Sequence, residues 1–537
     1  MERILIVQMS RLGDVVQTLP LITRLRQAYP TVQVMMVCHD SLAPVVRASG
    51  LVNETIWFTD AQVGAMTQPD KSIDPDLIAG IARVMPELAR GYDLVINLTH
   101  TAAAARLCEC IPARERAGRI NTYPGEVRVL GPWGKYLFAA AQNRLNNTFN
   151  LVDMYIGMGG VPVAPVRDYL PVSHEGCDLA MRLLEENGYA GTGRIVALQM
   201  GASKLHRAWP VRSFAALAEK LCASGGCEIA VLGTAAESAL STEFRSLFKR
   251  PFIDLNGKTN MVDLAAVLKQ CALLVSNDTG TVHVAAAVGT RVLGLYFSTA
   301  YYAETAPYGQ GNIILQPARS CAPCSEKTIC ADIACRDDLD AVYVADTASA
   351  MLEDKSVPAA TSNVRAYQSR FLENGTLVYL PLAPLDLSNA ERMALVFRAM
   401  WEEALGLEHD QALLQDISEN PSPRGDLAWV PWLRECYRKA SAMAGDILRE
   451  FQHRKLNQPR VMELTMRLKS IEGEIRKRPD LPEIVRNYHE LEMMDTAYAQ
   501  YPEMARYLLG TYNRLGGTIA GFQRGLSVLN QGLSSET

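Results

Sequence analysis

Residues 3–29 have the sequence RILIVQMSRLGDVVQTLPLITRLRQAY, and this stretch decides the fold. Its short apolar start predicts a strand over residues 3–8. A turn over residues 9–13 follows, and residues 14–29 have the apolar spacing that is typical of a helix. A strand, a tight turn and a helix in this order indicate the first part of a βαβ unit, and therefore a parallel sheet.

The same alternation continues through the first third of the chain. The further elements predicted there are strands 32–37, 55–58 and 93–98 and a helix around residues 78–90. Gly, Pro and Asn are frequent from residue 118 to 171, as is typical of a linker. We therefore predict one doubly wound, Rossmann-like α/β domain over residues 1–172.

A second alternating series begins after residue 172. Its predicted strands are 194–199, 228–233, 253–255, 273–277 and 291–296, and its predicted helices are 213–224, 261–270 and one that begins at Thr281. This series predicts a second Rossmann-like domain over residues 173–357. Two such domains in tandem predict a cleft between the carboxyl ends of their strands, where open α/β sheets bind ligands.

Strand patterns largely cease beyond about Thr361. Helical patterns over residues 391–405, 461–476 and 483–498 replace them. They predict a helical C-terminal extension over residues 358–537, whose helices provide a surface for oligomer formation.

Part of this extension is basic. Residues 434–479 contain twelve Lys or Arg and six Asp or Glu, a net charge of +6. Such a stretch either contacts an anionic acceptor or a membrane face, or is an ordinary solvated helix surface whose other face packs.

The composition excludes several classes of protein. The 537 residues favour three domains, and 48% hydrophobic with 21% charged residues is ordinary for a globular protein rich in helix. The net charge of −5 gives no cationic excess for nucleic acid. Apolar runs are shorter than the roughly 20 residues that cross a bilayer, and the chain starts on a strand instead of a signal peptide. We therefore expect a cytoplasmic protein without a transmembrane segment, with any membrane role peripheral at the inner face of the cytoplasmic membrane.

The first candidate motif is SRLGDVVQTLP at residues 10–20. It places Gly13 at a tight strand-to-helix turn and Asp14 at the edge of the predicted cleft. A carboxylate there can take a proton from an attacking sugar hydroxyl. Asp14 followed by Gln17 also fits a helix capping box. Spacing alone favours the cap, although the two roles are compatible.

The second candidate motif is QMGASKLHRAWP at residues 199–210, directly after a predicted strand. Gly201 and Ser203 are small enough for a diphosphate to approach the backbone. Lys204 and Arg207 can offset the charge that grows on a departing phosphate. A solvated basic loop is the alternative interpretation.

The third candidate motif is SNDTGTVHVAAAVG at residues 276–289, where a strand ends and a helix of small residues begins. Free amides at a helix start form an anion site without any side-chain charge. Asp278 or Thr279 can instead be only the N-cap, and His283 only a packed histidine.

Together these three motifs resemble glycosyltransferase family 9, which includes the lipopolysaccharide heptosyltransferases. The resemblance covers residues 1 to about 355 in order and spacing. It implies a GT-B fold, that is, two doubly wound Rossmann-like domains facing across a cleft, with the acceptor on the first and the nucleotide-sugar donor on the second. It also implies inverting transfer of a heptose or related sugar, with ADP-heptose as the expected donor.

The resemblance implies roles for individual residues. Asp14 matches the catalytic base, and Arg207 stands where the family usually has a lysine that meets the donor phosphates. The residues implied in donor binding are Gly201, Ser203, Lys204, Arg207, Asp278, Thr279, Gly280 and His283. Those expected on the acceptor side are Arg11, Gly13, Asp14, Thr99 and His100. This scheme requires no cofactor.

The acceptor stays open at this point. A lipopolysaccharide core, another glycan or lipid-linked acceptor, and the serine side chains of a secreted protein all suit a family of this kind. A non-catalytic scaffold that binds a nucleotide sugar is a further alternative. A dinucleotide-dependent oxidoreductase is disfavoured, because the first turn lacks the GxGxxG that cradles a pyrophosphate.

Four cysteines form a local cluster: Cys321, Cys324, Cys330 and Cys335. Four thiols within fifteen residues can bind Zn²⁺ tetrahedrally, or iron. A reduced, metal-free loop is the alternative. The sequence leaves both alternatives open, and transfer requires neither Zn²⁺ nor iron at this cluster.

Overall fold

The computed structural model describes most of the chain. The described residues are 1–59, 86–121, 127–223, 225–325, 330, 332–382, 389–410, 413, 429–452, 458–478, 480–494 and 508–520. The chain forms two compact units. The first unit contains Met1–Asp74, Met85–Val95 and Phe149–Asp386, and the second contains Pro75–Val84, Ile96–Thr148 and Leu387–Thr537. The domain boundaries at residues 172 and 357 stay a prediction.

Up to residue 352 strands and helices alternate, apart from two successive strands over residues 113–130 and three successive helices over residues 132–186. In chain order they are β1 (Arg3–Val7), α1 (Leu12–Ala28), β2 (Gln33–His39), α2 (Ala43–Ser49), β3 (Glu54–Phe58), α3 (Pro86–Ala89), β4 (Tyr92–Asn97), α4 (Ala102–Cys110), β5 (Ala113–Asn121), β6 (Val127–Leu130), α5 (Pro132–Gln142), α6 (Leu151–Met158), α7 (His174–Glu186), β7 (Arg194–Gln199), α8 (Val211–Ala223), β8 (Cys227–Leu232), α9 (Ser238–Leu247), β9 (Ile253–Asp254), α10 (Met261–Gln270), β10 (Leu273–Asn277), α11 (Gly280–Ala287), β11 (Val292–Leu295), α12 (Tyr302–Thr305), β12 (Ile313–Pro317) and α13 (Ala341–Leu352). The later elements are β13 (Val364–Phe371), β14 (Leu377–Pro381), α14 (Asn389–Ala404), α15 (Trp429–Gln452), α16 (Gln458–Lys477) and α17 (Glu483–Met494). Residues 508–520 are also helical.

Two groups of parallel strands organise the first unit. In the first group β3, β2, β1 and β4 lie side by side in that order, and β1 pairs parallel with β2 and β2 with β3. Strand β1 is buried from Ile4 to Val7, because the sheet is covered on both faces. The predicted mixed α/β architecture is confirmed here. Of the helix predicted around residues 78–90, α3 is observed and the part before residue 86 lies outside the described residues.

The second group is an eight-stranded sheet with the order β14-β13-β12-β11-β10-β7-β8-β9. Its parallel centre is built from β7, β10 and β11, and all of β10 is buried. The carboxyl ends of β7 and β10 therefore lie side by side, with Gln199 opposite Ser276. This register brings the second and third sequence motifs to one edge of the sheet.

The prediction that strands largely cease beyond Thr361 was wrong. Strands β13 and β14 follow that residue and extend the sheet antiparallel from β12. Strand β13 contains the more exposed residues Arg365, Gln368 and Arg370 among buried ones. The continuous apolar pattern that marks a fully buried strand is therefore absent from β13. Among the described residues, the helices of the C-terminal region begin at Asn389, not near residue 358.

The second unit combines a short sheet segment with these C-terminal helices. Strands β5 and β6 pair antiparallel, with Gly118 opposite Leu130, and α17 packs against α5 while α15 packs against α16. The Nζ atom of Lys135 in α5 lies 3.2 Å from Oε1 of Glu492 in α17, and both side chains are 4% exposed. The predicted helical extension is therefore built together with residues 96–148, and not as a unit of its own.

No helix of the described residues is both long enough and apolar enough to cross a membrane.

Candidate active site

The first and third motifs meet where two helices begin, both within the first unit. Helix α1 packs against α11. A Cβ atom on Gly13 would lie 2.8 Å from Cδ2 of His283, and one on Gly280 would lie 3.0 Å from Cδ2 of Leu12. Both glycines therefore allow an approach that a side chain would obstruct. This contact brings the turn that carries Asp14 to the start of α11.

Asp14 has a structural role in its own turn. Helix α1 begins at Leu12, so Asp14 is the third residue of the helix, and its Oδ2 accepts a hydrogen bond of 3.1 Å from the backbone N–H of Arg11. The predicted capping box of Asp14 with Gln17 was wrong in its register, because the helix starts two residues earlier. The structure nevertheless shows Asp14 capping the helix through its hydrogen bond with Arg11.

A buried tyrosine lies beside the same carboxylate. Burial, and then the charge of Asp14, raise the pKa of Tyr155 well above its usual value, and Tyr155 is 2% exposed. The side-chain amide of Gln8 donates to its hydroxyl at 3.4 Å. Asp14 is itself half-buried, so its carboxylate lies between the core of the first unit and the surface.

The second motif is tied to the end of β10 by Asn277, which is fully buried. Its amide donates to the carbonyl of Met200 at 2.7 Å, and its carbonyl oxygen accepts from the backbone N–H of Trp209 at 2.9 Å. Trp209 is 1% exposed and anchors the loop in the core. These bonds hold both ends of the loop that presents Arg207.

Arg207 and Asp278 form an ion pair at this loop. Their side chains are 17% and 11% exposed, so the pair is accessible from one side. The Nε atom of Arg207 is buried and has no hydrogen-bond acceptor among the described residues. One guanidinium N–H group is thus left unused by the described residues. Lys204 is exposed, and Ser203 accepts from Arg207 at 3.4 Å.

The start of α11 lacks a side-chain cap. Thr279 occupies the N-cap position, and its side chain makes no capping hydrogen bond; Asp278 pairs with Arg207 instead. The interpretation of either residue as only an N-cap is therefore not supported by the geometry. Backbone N–H groups at a helix start, with the helix dipole behind them, favour a bound anion.

His283 lies one turn inside α11 and is 6% exposed. Burial lowers its pKa from 6.5 to about 4, so the imidazole is neutral at pH 7. Its Nδ1 is buried without a hydrogen-bond partner among the described residues. It is both packed, against Gly13, and able to offer a neutral hydrogen bond.

Sequence reasoning missed Glu237. Its Oε1 lies 1.3 Å from the position that a Cβ atom on Gly201 would occupy, and its Oε2 accepts from the backbone N–H and hydroxyl of Thr234 at 2.7 and 2.9 Å. Gly201 therefore makes room for a carboxylate as well as for a ligand. The signal was present in the sequence, since Thr234 and Glu237 form the T-x-x-E pattern of a capping box after β8.

Thr99 and His100 belong to the second unit. The backbone N–H of Thr99 donates to Oδ1 of Asn97 at 3.0 Å, and the carbonyl of His100 accepts from Arg119 at 2.8 Å. Their backbone is thus held in place behind β4. Their role on the acceptor side stays a prediction.

The four clustered cysteines do not form a metal centre among the described residues. No group of three or more His, Cys, Asp or Glu side chains is placed there to hold an ion. Burial, and then the nearby thiols of Cys321 and Cys330, raise the pKa of Cys324, while the thiol of Cys330 donates to the carbonyl of Asp332 at 2.7 Å. The thiols of this cluster are near one another, and a metal held by them stays a prediction.

Residues 81–333 match the model of glycosyltransferase family 9 (heptosyltransferase). The chain is 24% identical over 291 residues to lipopolysaccharide heptosyltransferase 3 of Escherichia coli, covering 53% of this chain and 80% of that protein. It is 27% identical over 334 residues to lipopolysaccharide heptosyltransferase 1 of Pseudomonas aeruginosa, covering 61% and 87%.

A solved structure agrees in fold. A family 9 glycosyl transferase from Veillonella parvula superposes with a TM-score of 0.52 at 20% identity, covering 66% of this chain and 98% of that one. The protein described here is thus a glycosyltransferase with a mixed α/β, GT-B-like fold. More narrowly, its residues 81–333 are similar to the family 9 heptosyltransferases.

Proposed function

We propose that this protein is an inverting heptosyltransferase that moves a heptose or related sugar from ADP-heptose to a lipopolysaccharide core or another glycan. In this proposal the two doubly wound parts of the first unit face one another across the reaction cleft. The observation that carries the proposal is the contact of the Asp14 turn with the start of α11, beside Arg207 and Asp278. The names of the two relatives support the choice of sugar and acceptor.

The proposed reaction is a single displacement. The acceptor hydroxyl oxygen attacks the anomeric carbon of the donor sugar while Asp14 takes the hydroxyl proton. The bond from that carbon to the diphosphate oxygen breaks, and its electron pair leaves with the diphosphate. Attack opposite the leaving group inverts the anomeric configuration. The half-buried position of Asp14 supports its role as base, and the cap that it forms holds its carboxylate in place.

The leaving diphosphate is the group that the second and third motifs would stabilise. The free Nε–H of Arg207 and the uncapped amides at Gly280 supply donors to the phosphate oxygens. Neutral His283 adds a hydrogen bond without a charge. Glu237 is an acceptor-only group beside Gly201, so it suits a donor hydroxyl and not a phosphate.

No step of this proposal uses a metal ion. The charge on the leaving group is offset by Arg207 and by helix amides, and the cysteine loop carries no step. The natural partners in this proposal are the nucleotide-sugar donor and a glycan, lipid-linked or protein acceptor, met in the cytoplasm.

The experiment is release of ADP from ADP-heptose by the full-length protein, with and without purified inner-core lipopolysaccharide. We expect ADP release that depends on acceptor, and a product heavier by one heptose in mass spectrometry. Tight donor binding without any turnover would instead identify a non-catalytic scaffold.

The acceptor is tested in cells. Mass spectrometry of glycans and of surface proteins from cells that lack this protein should show loss of heptose from the glycan. Loss from serine residues of a secreted protein, with an intact glycan, would replace the lipopolysaccharide acceptor by a protein acceptor.

A further inference from the structure

One face of α16 carries cations and exposed methionines without any acid. At 100° per residue, seven side chains of this helix fall within about 120°. They are Met462, Met466, Lys469, Ser470, Gly473, Arg476 and Lys477, here called the α16 stripe. All are exposed except Gly473, which is half-buried, and Met462 and Met466 are 68% and 62% exposed.

The α16 stripe lies opposite the face that packs into the second unit. That face consists of Leu464, Leu468, Ile471 and Ile475, each 8% exposed or less. Since these residues fix the rotation of the helix, the stripe points away from the core. Two exposed methionines on such a face are an apolar feature that the fold of this chain does not use.

Most cations of the C-terminal helices are already paired with nearby acids. Arg438 pairs with Glu435 at 2.6 Å, and Arg460 and Arg467 each pair with Glu463 at 2.8 Å. Lys469, Arg476 and Lys477 form no salt bridge with a described residue. The basic character that the sequence showed over residues 434–479 is therefore concentrated on the α16 stripe.

A groove with an aromatic wall borders the cationic end of the stripe. It is a space of about 600 Å³, lined by Trp432 of α15 and by Lys469, Ser470, Gly473, Glu474, Lys477 and Arg478, so its lining includes one acid beside the cations. The guanidinium of Arg478 lies 4.2 Å from the centre of the Trp432 ring. A half-buried tryptophan beside lysine and arginine is the combination found at membrane–water interfaces.

We propose that the α16 stripe docks this protein on the surface of an anionic phospholipid bilayer. The three unpaired cations face the lipid phosphates, Met462 and Met466 enter the headgroup region, and Trp432 lies at its edge. This inference goes beyond the transfer reaction and does not depend on it. A glycan acceptor anchored in the same membrane would then be reached from a surface-bound enzyme.

Charge complementarity favours a bilayer over a second copy of the chain. The stripe extends over 16 residues, about 24 Å of helix, and all of its charges are positive. A two-fold interface places the same surface on both partners. The cations of one stripe would then lie close to those of the other, and their repulsion disfavours such a dimer. An anionic lipid surface provides the opposite charge over the whole length.

The test is sedimentation of the full-length protein with vesicles of phosphatidylcholine alone and with phosphatidylglycerol added. We expect binding to the anionic vesicles only, decreasing as salt rises because the charges are screened. Each cation near such a surface contributes about fivefold in partitioning. The variant Lys469→Gln/Lys477→Gln should therefore bind about 30-fold more weakly, and Met462→Gln/Met466→Gln should also lose binding.

The matched control is Lys249→Gln/Lys439→Gln, which removes two exposed lysines outside the stripe and should bind like the unmodified protein. Equal binding of control and stripe variants, or no binding to anionic vesicles at low salt, would overturn the proposal. A dimer that the stripe variants dissociate, without vesicle binding, would assign the surface to a second copy and overturn it as well. Circular dichroism checks that every variant stays folded.

Discussion

Two regions of this protein each contain an ion pair and a buried histidine, and they differ in what the pair can still do. In the first unit Arg207 and Asp278 are 17% and 11% exposed, beside His283. In the second unit Lys135 and Glu492 are both 4% exposed, and His489 is fully buried. The chemistry of the groups is similar, whereas their access to solvent and their remaining hydrogen-bonding capacity are not.

The accessible pair of Arg207 and Asp278 has an unused hydrogen-bond donor. Arg207 has a buried Nε–H without an acceptor among the described residues, and the uncapped start of α11 lies next to it. The enclosed pair is saturated in comparison. Burial alone would raise the pKa of Glu492, but Lys135 and Arg514 lower it on balance, and Arg514 contacts it at 2.9 Å. The comparison teaches that access to solvent, and not charge itself, separates the two pairs, since Nε2 of His489 in the enclosed region is also buried without a partner among the described residues.

The largest expected effect is on the chemical step beside the accessible pair. Asp14→Asn should reduce turnover by about two to four decades, the range of a positioned general base, while donor affinity changes little. The asparagine oxygen can still accept from Arg11, so the helix cap is retained. Steady-state transfer and donor titration measure the two quantities. Near-normal turnover would leave Asp14 as a cap only.

The enclosed pair should instead control stability. Glu492→Gln removes the charge of a buried ion-pair partner of Lys135, and we expect a loss of about 3 to 5 kcal/mol in the free energy of unfolding. The control is Glu435→Gln, whose pair with Arg438 is exposed and should cost less than about 1 kcal/mol. Denaturant unfolding compares the two. Similar small losses in both variants would show that burial of the Lys135 pair does not matter.

The two histidines predict acid sensitivity of the same sign in both regions. Burial lowers the pKa of His283 and of His489 from 6.5 to about 4. The folded protein therefore binds fewer protons than the unfolded chain between these values, so stability falls as pH falls from 6.5 to 4, by up to about 3 kcal/mol for each histidine.

His283→Gln and His489→Gln should each flatten the dependence of stability on pH in that window. For His489 the neighbouring Tyr437, Arg476 and Glu492 stay in place. Unfolding midpoints measured from pH 7 to pH 4 check this. A bound nucleotide diphosphate should raise the pKa of His283 and leave His489 unaffected, and the same shift at both sites would break the comparison.

The smallest effect is expected at the cation of the accessible pair. Arg207→Ala should lower kcat/KM by about 10- to 100-fold, because a charge-assisted contact to the phosphates is lost in both the bound and transition states. Its cost in stability should stay below that of Glu492→Gln. Lys204→Ala is the matched control, with a smaller expected change. Unchanged kinetics in Arg207→Ala would move the role to Lys204 or His206.

The sequence was least informative about the C-terminal region. Strand β13 was missed because its polar residues interrupt the apolar pattern, whereas β14 has the short apolar sequence LVYLP and was overlooked. Likewise, the packing of α17 on α5 joins residues separated by about 350 positions, and no local pattern encodes such a contact. A truncation near Thr361 would therefore remove two sheet strands and the counterion of Lys135, so it does not isolate the transfer domain.

What the sequence determined by itself is most of the strands and helices up to residue 296 and the three motifs, because periodicity, turn residues and motif spacing are local properties. The class of enzyme came from the resemblance that these motifs carry. The tertiary structure alone decided that Gly13 meets His283, that Arg207 pairs with Asp278 and that Glu237 lies over Gly201. It also decided which cations of the C-terminal helices stay unpaired. Each of these depends on burial and on the approach of distant segments, and both are set by packing of the whole chain.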